Sequence, residues 1–169
     1  MVTIRQVQET DGLALSLLLN QLDAETPFMA MGEQNSAEEL SQHLGLFIDS
    51  AAQVLLVVET KDMQLIGFAI GITGYISGDR NTAALVIGIK QAHVGMGFGR
   101  QLLTHIEDWA QDAQLQQLEL AVMNNNDNAI VFYENMGFKQ QIIQPGSLVS
   151  ELTKNELYMI KAVNLQEAE

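Results

Sequence analysis

Apolar and polar positions change rhythm several times along the chain, and each change marks an element. VTIRQV, residues 2–7, alternates closely enough for a strand. Thr10 or Asp11 then stands where a helix N-cap belongs, and Leu13, Leu17, Leu18 and Leu22 of the following leucine-rich run share a face, with the helix stopping near Asp23. ETPFMAMGEQN, which contains Pro27 and Gly32, reads as an irregular loop. Ser36, with Glu39 three positions on, has the pattern of a capping box opening a second helix through about Ile48.

The middle of the chain changes to a strand rhythm. VLLVVET, KDMQ and LIGFAIGIT make a hairpin whose apolar runs suit strands covered on both faces. SGDRN turns the chain into a third consecutive strand, TAALVIGIK. A helix follows, burying Leu102, Leu103, Ile106, Trp109 and Ala110, and then the strand LQQLELAV. MNNNDNAIVFYENMGF predicts an Asn-rich cap, about two helical turns carrying Ile130, Phe132, Tyr133 and Met136, and a left-handed closure at Gly137. KQQIIQ and ELYMIKAV are late strands on either side of a loop with Pro145 and Gly146. At 169 residues and 47% hydrophobic, the pattern fits one domain over residues 1–163, leaving 164–169 as an acidic tail.

The helix that begins near Arg100 raises a chemical question. Glycines occupy positions 95, 97 and 99 in HVGMGFGR, and no Ser, Thr, Asp or Asn stands between Ile89 and Arg100 to cap the helix. A Walker loop needs Lys-Ser or Lys-Thr after its last glycine, where this chain has Arg100-Gln101. A dinucleotide fingerprint would need a glycine or alanine at position 100 and a place after the first strand of its unit. A third design fits: a diphosphate accepts hydrogen bonds from the free N–H groups of the helix start and serves as the cap. A sterically tight turn with water on those groups is the structural alternative.

Charge sharpens this picture. The chain has 21 acidic and 8 basic residues, a formal charge of −13 that disfavours nucleic acid and anionic membranes as partners. Yet Arg80 to Ile106 holds Arg80, Lys90 and Arg100 and no acidic residue, a pattern that suits either an anion site or simply buried strands and turns. The absence of cysteine excludes disulfides and thiolate intermediates, and the three scattered histidines argue against a metal centre. No stretch suits a signal peptide or membrane span, so a cytoplasmic location is expected.

Two segments resemble the GNAT superfamily of acyl-coenzyme A dependent N-acyltransferases. The pyrophosphate loop of that family is written Q/R-x-x-G-x-G/A; Val94 to Gly99 occupies the window, with Gly97 and Gly99 matching and Val94 departing from the pattern. LAVMNNNDNAIVFYENMGF resembles the family's L-x-V-x-x-x-N-x-x-A-x-x-x-Y-x-x-x-G-F segment, with Asn126, Ala129, Tyr133, Gly137 and Phe138 in register. The resemblance implies an α/β, GNAT-like fold: a mixed, mostly antiparallel central sheet of six to seven strands with about four helices, splayed between strands 4 and 5.

It also implies an acetyltransferase that moves an acetyl group from acetyl-CoA to a primary amine of a small molecule or peptide by direct attack, without a metal. Val94, Gly95, Met96, Gly97, Phe98, Gly99 and Arg100 would hold the diphosphate, and Ile87 and Ile89 the pantetheine arm through their backbone. Tyr133 would protonate the leaving thiolate; otherwise it is a core tyrosine with a backbone partner. Asn126 would help hold coenzyme or product, or act only as a helix cap. Family members often place a glutamate on the fourth strand; TAALVIGIK has none, which leaves a water chain or Glu25, Glu33 or Asp79 as base, while Glu119 reads as a surface charge. The acceptor is expected near loops 24–35 and 144–155, with Phe28, Met29, Met31 and Leu148 as apolar contacts. A homodimer through the last strands is compatible with the resemblance. The competing reading is a non-catalytic acyl-CoA sensor or scaffold of the same fold.

Overall fold

A computed structural model describes residues 2–25, 44, 45, 47–143, 145–147 and 155–163. The strands are β1 (Val2–Gln6), β2 (Gln53–Thr60), β3 (Leu65–Thr73), β4 (Thr82–Ile89), β5 (Gln117–Met123), β6 (Lys139–Gln140) and β7 (Glu156–Ala162). The helices are α1 (Gly12–Glu25), α2, described at residues 44, 45 and 47–49, α3 (Phe98–Asp112) and α4 (Asp127–Asn135). One mixed sheet has the order β1-β2-β3-β4-β5-β7-β6. β1 pairs antiparallel with β2, and β7 antiparallel with both β5 and β6, while β4 and β5 run parallel. The expected capping box at Ser36 and Glu39 and the tail from 164 lie outside the described residues.

The chain forms two compact units. The first comprises Met1–Ile70 and Ile87–Ile106. Its core gathers Val7, Leu15, Leu18, Leu19, Leu22, Leu44, Leu55, Val57, Leu65 and Phe68. The buried face of α1 is therefore Leu15, Leu18, Leu19 and Leu22, and Leu13 and Leu17 stand 63% and 62% exposed. This corrects the expected face: a run with so many leucines fits more than one helical stripe, and packing selects among them. Asp11 is not a simple cap either. Its carboxylate accepts both terminal N–H groups of Arg5, at 2.8 and 2.9 Å, and the Gln8 N–H at 2.6 Å, closing a short 3-10 turn (Glu9–Asp11) before α1. Arg5 also reaches Glu59 on the paired strand β2.

The second unit comprises Gly71–Val86 and Glu107–Glu169. β5 alternates so that Leu118, Leu120 and Val122 are buried on one face, and Ala121 packs on the other with Ile76, Ala84, Tyr158, Ile143 and Ile160. α4 closes as its sequence predicts: Gly137 has φ +98°, and the N–H of Phe138 returns to the Tyr133 carbonyl at 2.9 Å. The Lys161 side chain of β7 crosses this closure and ion-pairs with Glu107. β6 is shorter than KQQIIQ suggested, with only Lys139 and Gln140 paired to β7.

The parallel ladder is short. Thr82 pairs with Gln117, Ala83 with Leu118 and Ala84 with Glu119, and the register ends there although β4 continues to Ile89 and β5 to Met123.

Candidate active site

In the first unit, the residues predicted to hold a diphosphate form one continuous surface loop. A 3-10 turn, Gln91–His93, leaves β4, and α3 starts at Phe98, inside the glycine ladder. Gly95 and Gly97 have φ of +83° and +88°, the left-handed region that only glycine enters without strain. A Cβ at either would meet nothing within 4 Å, so the backbone conformation and not crowding requires glycine there. Gly99 already belongs to the helix.

The hydrogen bonds answer the capping question. His93 N–H returns to Lys90 O and Val94 N–H to Gln91 O, and the ladder resumes when Gln101 N–H reaches Gly97 O at 3.1 Å. Between them, the N–H groups of Gly95 to Arg100 donate to no group among the described residues, and no side chain caps α3. Six successive donors therefore stand without a partner among the described residues at the positive end of a fifteen-residue helix with no acidic residue in its first turn. The rings of His93 and Phe98 meet at 6.5 Å between centroids, joining the two ends of the loop. Val94 and Met96 project at 56% and 61% exposure, and Arg100 is exposed. Such a surface donates hydrogen bonds to an anion without needing to displace a protein group. Ile87 and Ile89, half-buried, lie in the same unit where β4 runs beyond its pairing with β5.

Glu25, one of the expected bases, ends α1 and accepts the Gln91 N–H at 3.0 Å, tying α1 to the turn before the glycines. Its carboxylate is thus engaged in the first unit's own structure. Glu33 and the apolar contacts Phe28, Met29, Met31 and Leu148 lie outside the described residues.

Asn126 and Tyr133 belong to the second unit. Asn126 is the N-cap of α4, its side-chain oxygen accepting the Ala129 N–H at 3.4 Å, so the capping role is realised. Tyr133 faces inward from α4, 8% exposed, edge-on to Phe132 at 5.1 Å and Phe138 at 5.5 Å. Its hydroxyl has no partner among the described residues. Burial pushes its pKa up, so the phenol keeps its proton across the neutral range, the state a proton donor needs.

Asp79 serves its own turn, accepting the Asn81 N–H at 2.8 Å. Glu119 corrects an expectation: it is 0% exposed and no surface charge. The Tyr158 hydroxyl donates to one carboxylate oxygen at 2.7 Å, and the N–H and hydroxyl of Ser77 donate to the other at 3.1 and 3.3 Å. Burying a carboxylate is costly unless donors surround it, and here three do. Burial and the neighbouring Glu119 and Asp79 push the Tyr158 pKa up. Sequence reasoning missed this cluster because Ser77, Glu119 and Tyr158 are 39 or more positions apart from one another except through the sheet, and the only local signal was one acidic residue among apolar strand neighbours.

Comparison with known proteins agrees with the fold. The model of the acetyltransferase (GNAT) family matches residues 19–138. An uncharacterized protein of Bacillus subtilis (strain 168), YdhI, is 30% identical over 63 residues, a stretch that covers 37% of this chain and 39% of that protein. A GNAT-family acetyltransferase from Streptococcus pneumoniae superposes with a TM-score of 0.82 at 23% identity, over 97% of this chain and 100% of the other. Spermidine N-acetyltransferase from Vibrio cholerae, solved in complex with CoA and spermine, superposes with a TM-score of 0.72 at 23% identity, over 96% of this chain and 95% of that one. With the glycine-ladder loop, the short parallel ladder and a family match over most of its length, this chain belongs to the acetyltransferase (GNAT) family.

Proposed function

We propose that this protein is an acetyl-CoA dependent N-acetyltransferase acting on a primary amine of a small molecule or peptide. The observation that carries the reading is the row of six N–H groups, Gly95 to Arg100, that have no partner among the described residues. These donors take the diphosphate of the coenzyme, with Gly95 and Gly97 giving the backbone its close approach. Val94, where the family pattern has a polar residue, adds no side-chain donor, so the contact rests on the main chain and Arg100. The ending of the parallel ladder at Ala84 and Glu119 supports a pantetheine arm held by the main chain of Ile87 and Ile89. The same backbone supplies a donor to the thioester carbonyl oxygen as charge develops on it.

Tyr133 is the general acid for the departing thiolate: its hydroxyl is protonated at neutral pH and has no partner among the described residues. Asn126, whose oxygen is engaged by its own helix, retains only its amide N–H groups for a ligand. With no cysteine in the chain, the amine attacks the thioester directly in a ternary complex. A cytoplasmic enzyme acting on a cationic amine also suits the charge of −13.

Calorimetry with acetyl-CoA, followed by a thiol-release assay against a panel of primary amines including spermine, tests the proposal. Saturable binding and amine-dependent release of free thiol are expected. Binding without release from any amine would favour a sensor or scaffold, and no binding would overturn the reading.

A further inference from the structure

The base left unassigned by the sequence has a candidate in the second unit, and it rests on the acetyltransferase reading. Glu119 is the last residue of β5 paired with β4, so its carboxylate lies at the level where the two strands part. Tyr158 stands opposite Ala121 on β7, two residues further along the same face, and turns its hydroxyl back onto Glu119. A purely structural residue here would be poorly chosen, since a buried charge is more costly than an apolar side chain of similar size. No Lys, Arg or His pairs with Glu119 among the described residues; hydrogen-bond donors alone surround it.

We infer that Tyr158 and Glu119 act together as the proton-accepting pair for the acceptor amine, Tyr158 touching the amine and Glu119 positioning and accepting the proton behind it. The Tyr158 oxygen donates to Glu119 and still has lone pairs free to accept an N–H. As the amine nitrogen bonds to the thioester carbonyl carbon, its N–H proton passes to the Tyr158 oxygen and the Tyr158 proton passes to Glu119. The C–S bond then breaks and the thiolate takes its proton from Tyr133. Glu119 ends protonated and Tyr133 ionised, and solvent removes one proton and returns the other, so the transfer balances. The charged groups near the pair are Asp79 on the β3–β4 loop, whose field disfavours an ionised Tyr158 so that its proton leaves for Glu119 only as the amine proton arrives, and Glu156, two residues before Tyr158 on β7. Ser77 holds the second carboxylate oxygen and fixes its orientation.

Glu119→Gln and Tyr158→Phe separate this chemistry from a structural clasp. In Glu119→Gln the amide oxygen still accepts from Ser77 and its NH2 donates to the Tyr158 oxygen, so the contacts survive with the proton sense reversed. Both variants are expected to lose about a hundredfold in kcat for the amine at neutral pH while acetyl-CoA affinity by calorimetry stays within about twofold. The loss should shrink as pH rises and hydroxide takes the N–H proton in place of the pair, and the double variant should be no slower than the slower single one. A loss of equal size at every pH, a loss that resides in acetyl-CoA affinity, or no loss overturns the relay. If Glu119→Gln fails to fold, Tyr158→Phe decides by the same criteria. Normal turnover in all variants overturns the relay alone, whereas a wild-type protein that neither binds acetyl-CoA nor releases thiol overturns the acetyltransferase reading with it.

Discussion

Replacing Gly97 by alanine perturbs the diphosphate loop in a way whose cost can be worked out. At φ +88° an alanine is strained, and because its Cβ would meet nothing within 4 Å the strain comes from the backbone alone. A left-handed non-glycine residue costs about 1–2 kcal/mol. In a chain of this size each kcal/mol lowers Tm by about 2–4 °C, so the variant should melt about 2–8 °C below the parent. Gly146→Ala is the matched control: its φ is +81°, its surroundings are equally open, and it lies outside the ladder. It should lose the same stability.

Coenzyme affinity separates the two. Relief of strain at position 97 rotates the adjacent N–H groups, and a hydrogen bond to a charged group contributes about 1.5–3 kcal/mol, so loss of one such bond weakens coenzyme binding about tenfold to a hundredfold. Acetyl-CoA at about a hundred times its Kd should raise the parent's Tm by about 5–11 °C, from about 2.7 kcal/mol of linkage, and the Gly146→Ala protein's by as much. Gly97→Ala should show a fraction of that shift. Scanning fluorimetry with and without acetyl-CoA reads both quantities. Equal ligand-induced shifts in all three proteins would refute the assignment of these amides to the diphosphate.

Other substitutions probe the remaining structure. Tyr133→Phe should lower kcat by about a hundredfold yet change unfolding free energy by less than about 0.5 kcal/mol, because the hydroxyl it removes has no partner among the described residues; a large loss in urea stability would contradict that geometry. Gly137→Ala combines φ +98° with a Cβ 3.3 Å from the Lys161 side chain and should lower the urea midpoint by about 2 kcal/mol worth of stability, with no effect if the closure of α4 is wrong. Asp11 has its pKa held down by the Arg5 hydrogen bonds and by the Gln8 N–H, so its contribution is full above the ordinary aspartate range and is lost as pH falls through the lowered value. Asp11→Asn should therefore be less stable than the parent at neutral pH, by about 2 kcal/mol, with the difference vanishing in strong acid; a difference independent of pH would contradict the ion-pair account.

Local chemistry was legible where one short segment decides the outcome. The strand LQQLELAV, the cap at Asn126 and the glycine closure at 137 each follow from a few neighbouring residues, and the structure realises all three; the start of α3 likewise has no side-chain cap among the described residues. The face of α1 was not legible, because Leu13, Leu15, Leu17, Leu18, Leu19 and Leu22 allow several stripes and only the strands beneath select one. Glu119 was misread for a related reason. An acidic residue in an alternating strand looks solvated until Ile76 and Tyr158 are known to cover that face, and their arrival depends on β3, β4 and β7 being assembled. Arg5 likewise names neither of its carboxylate partners in sequence: one is six residues away and the other 54.

An NMR titration of the isotope-labelled protein with coenzyme A tests most directly whether the uncapped amides receive the diphosphate. The N–H resonances of Gly95, Met96, Gly97, Phe98, Gly99 and Arg100 are expected to move together and saturate with the binding curve. Saturation of the protein with those six resonances unmoved would contradict it.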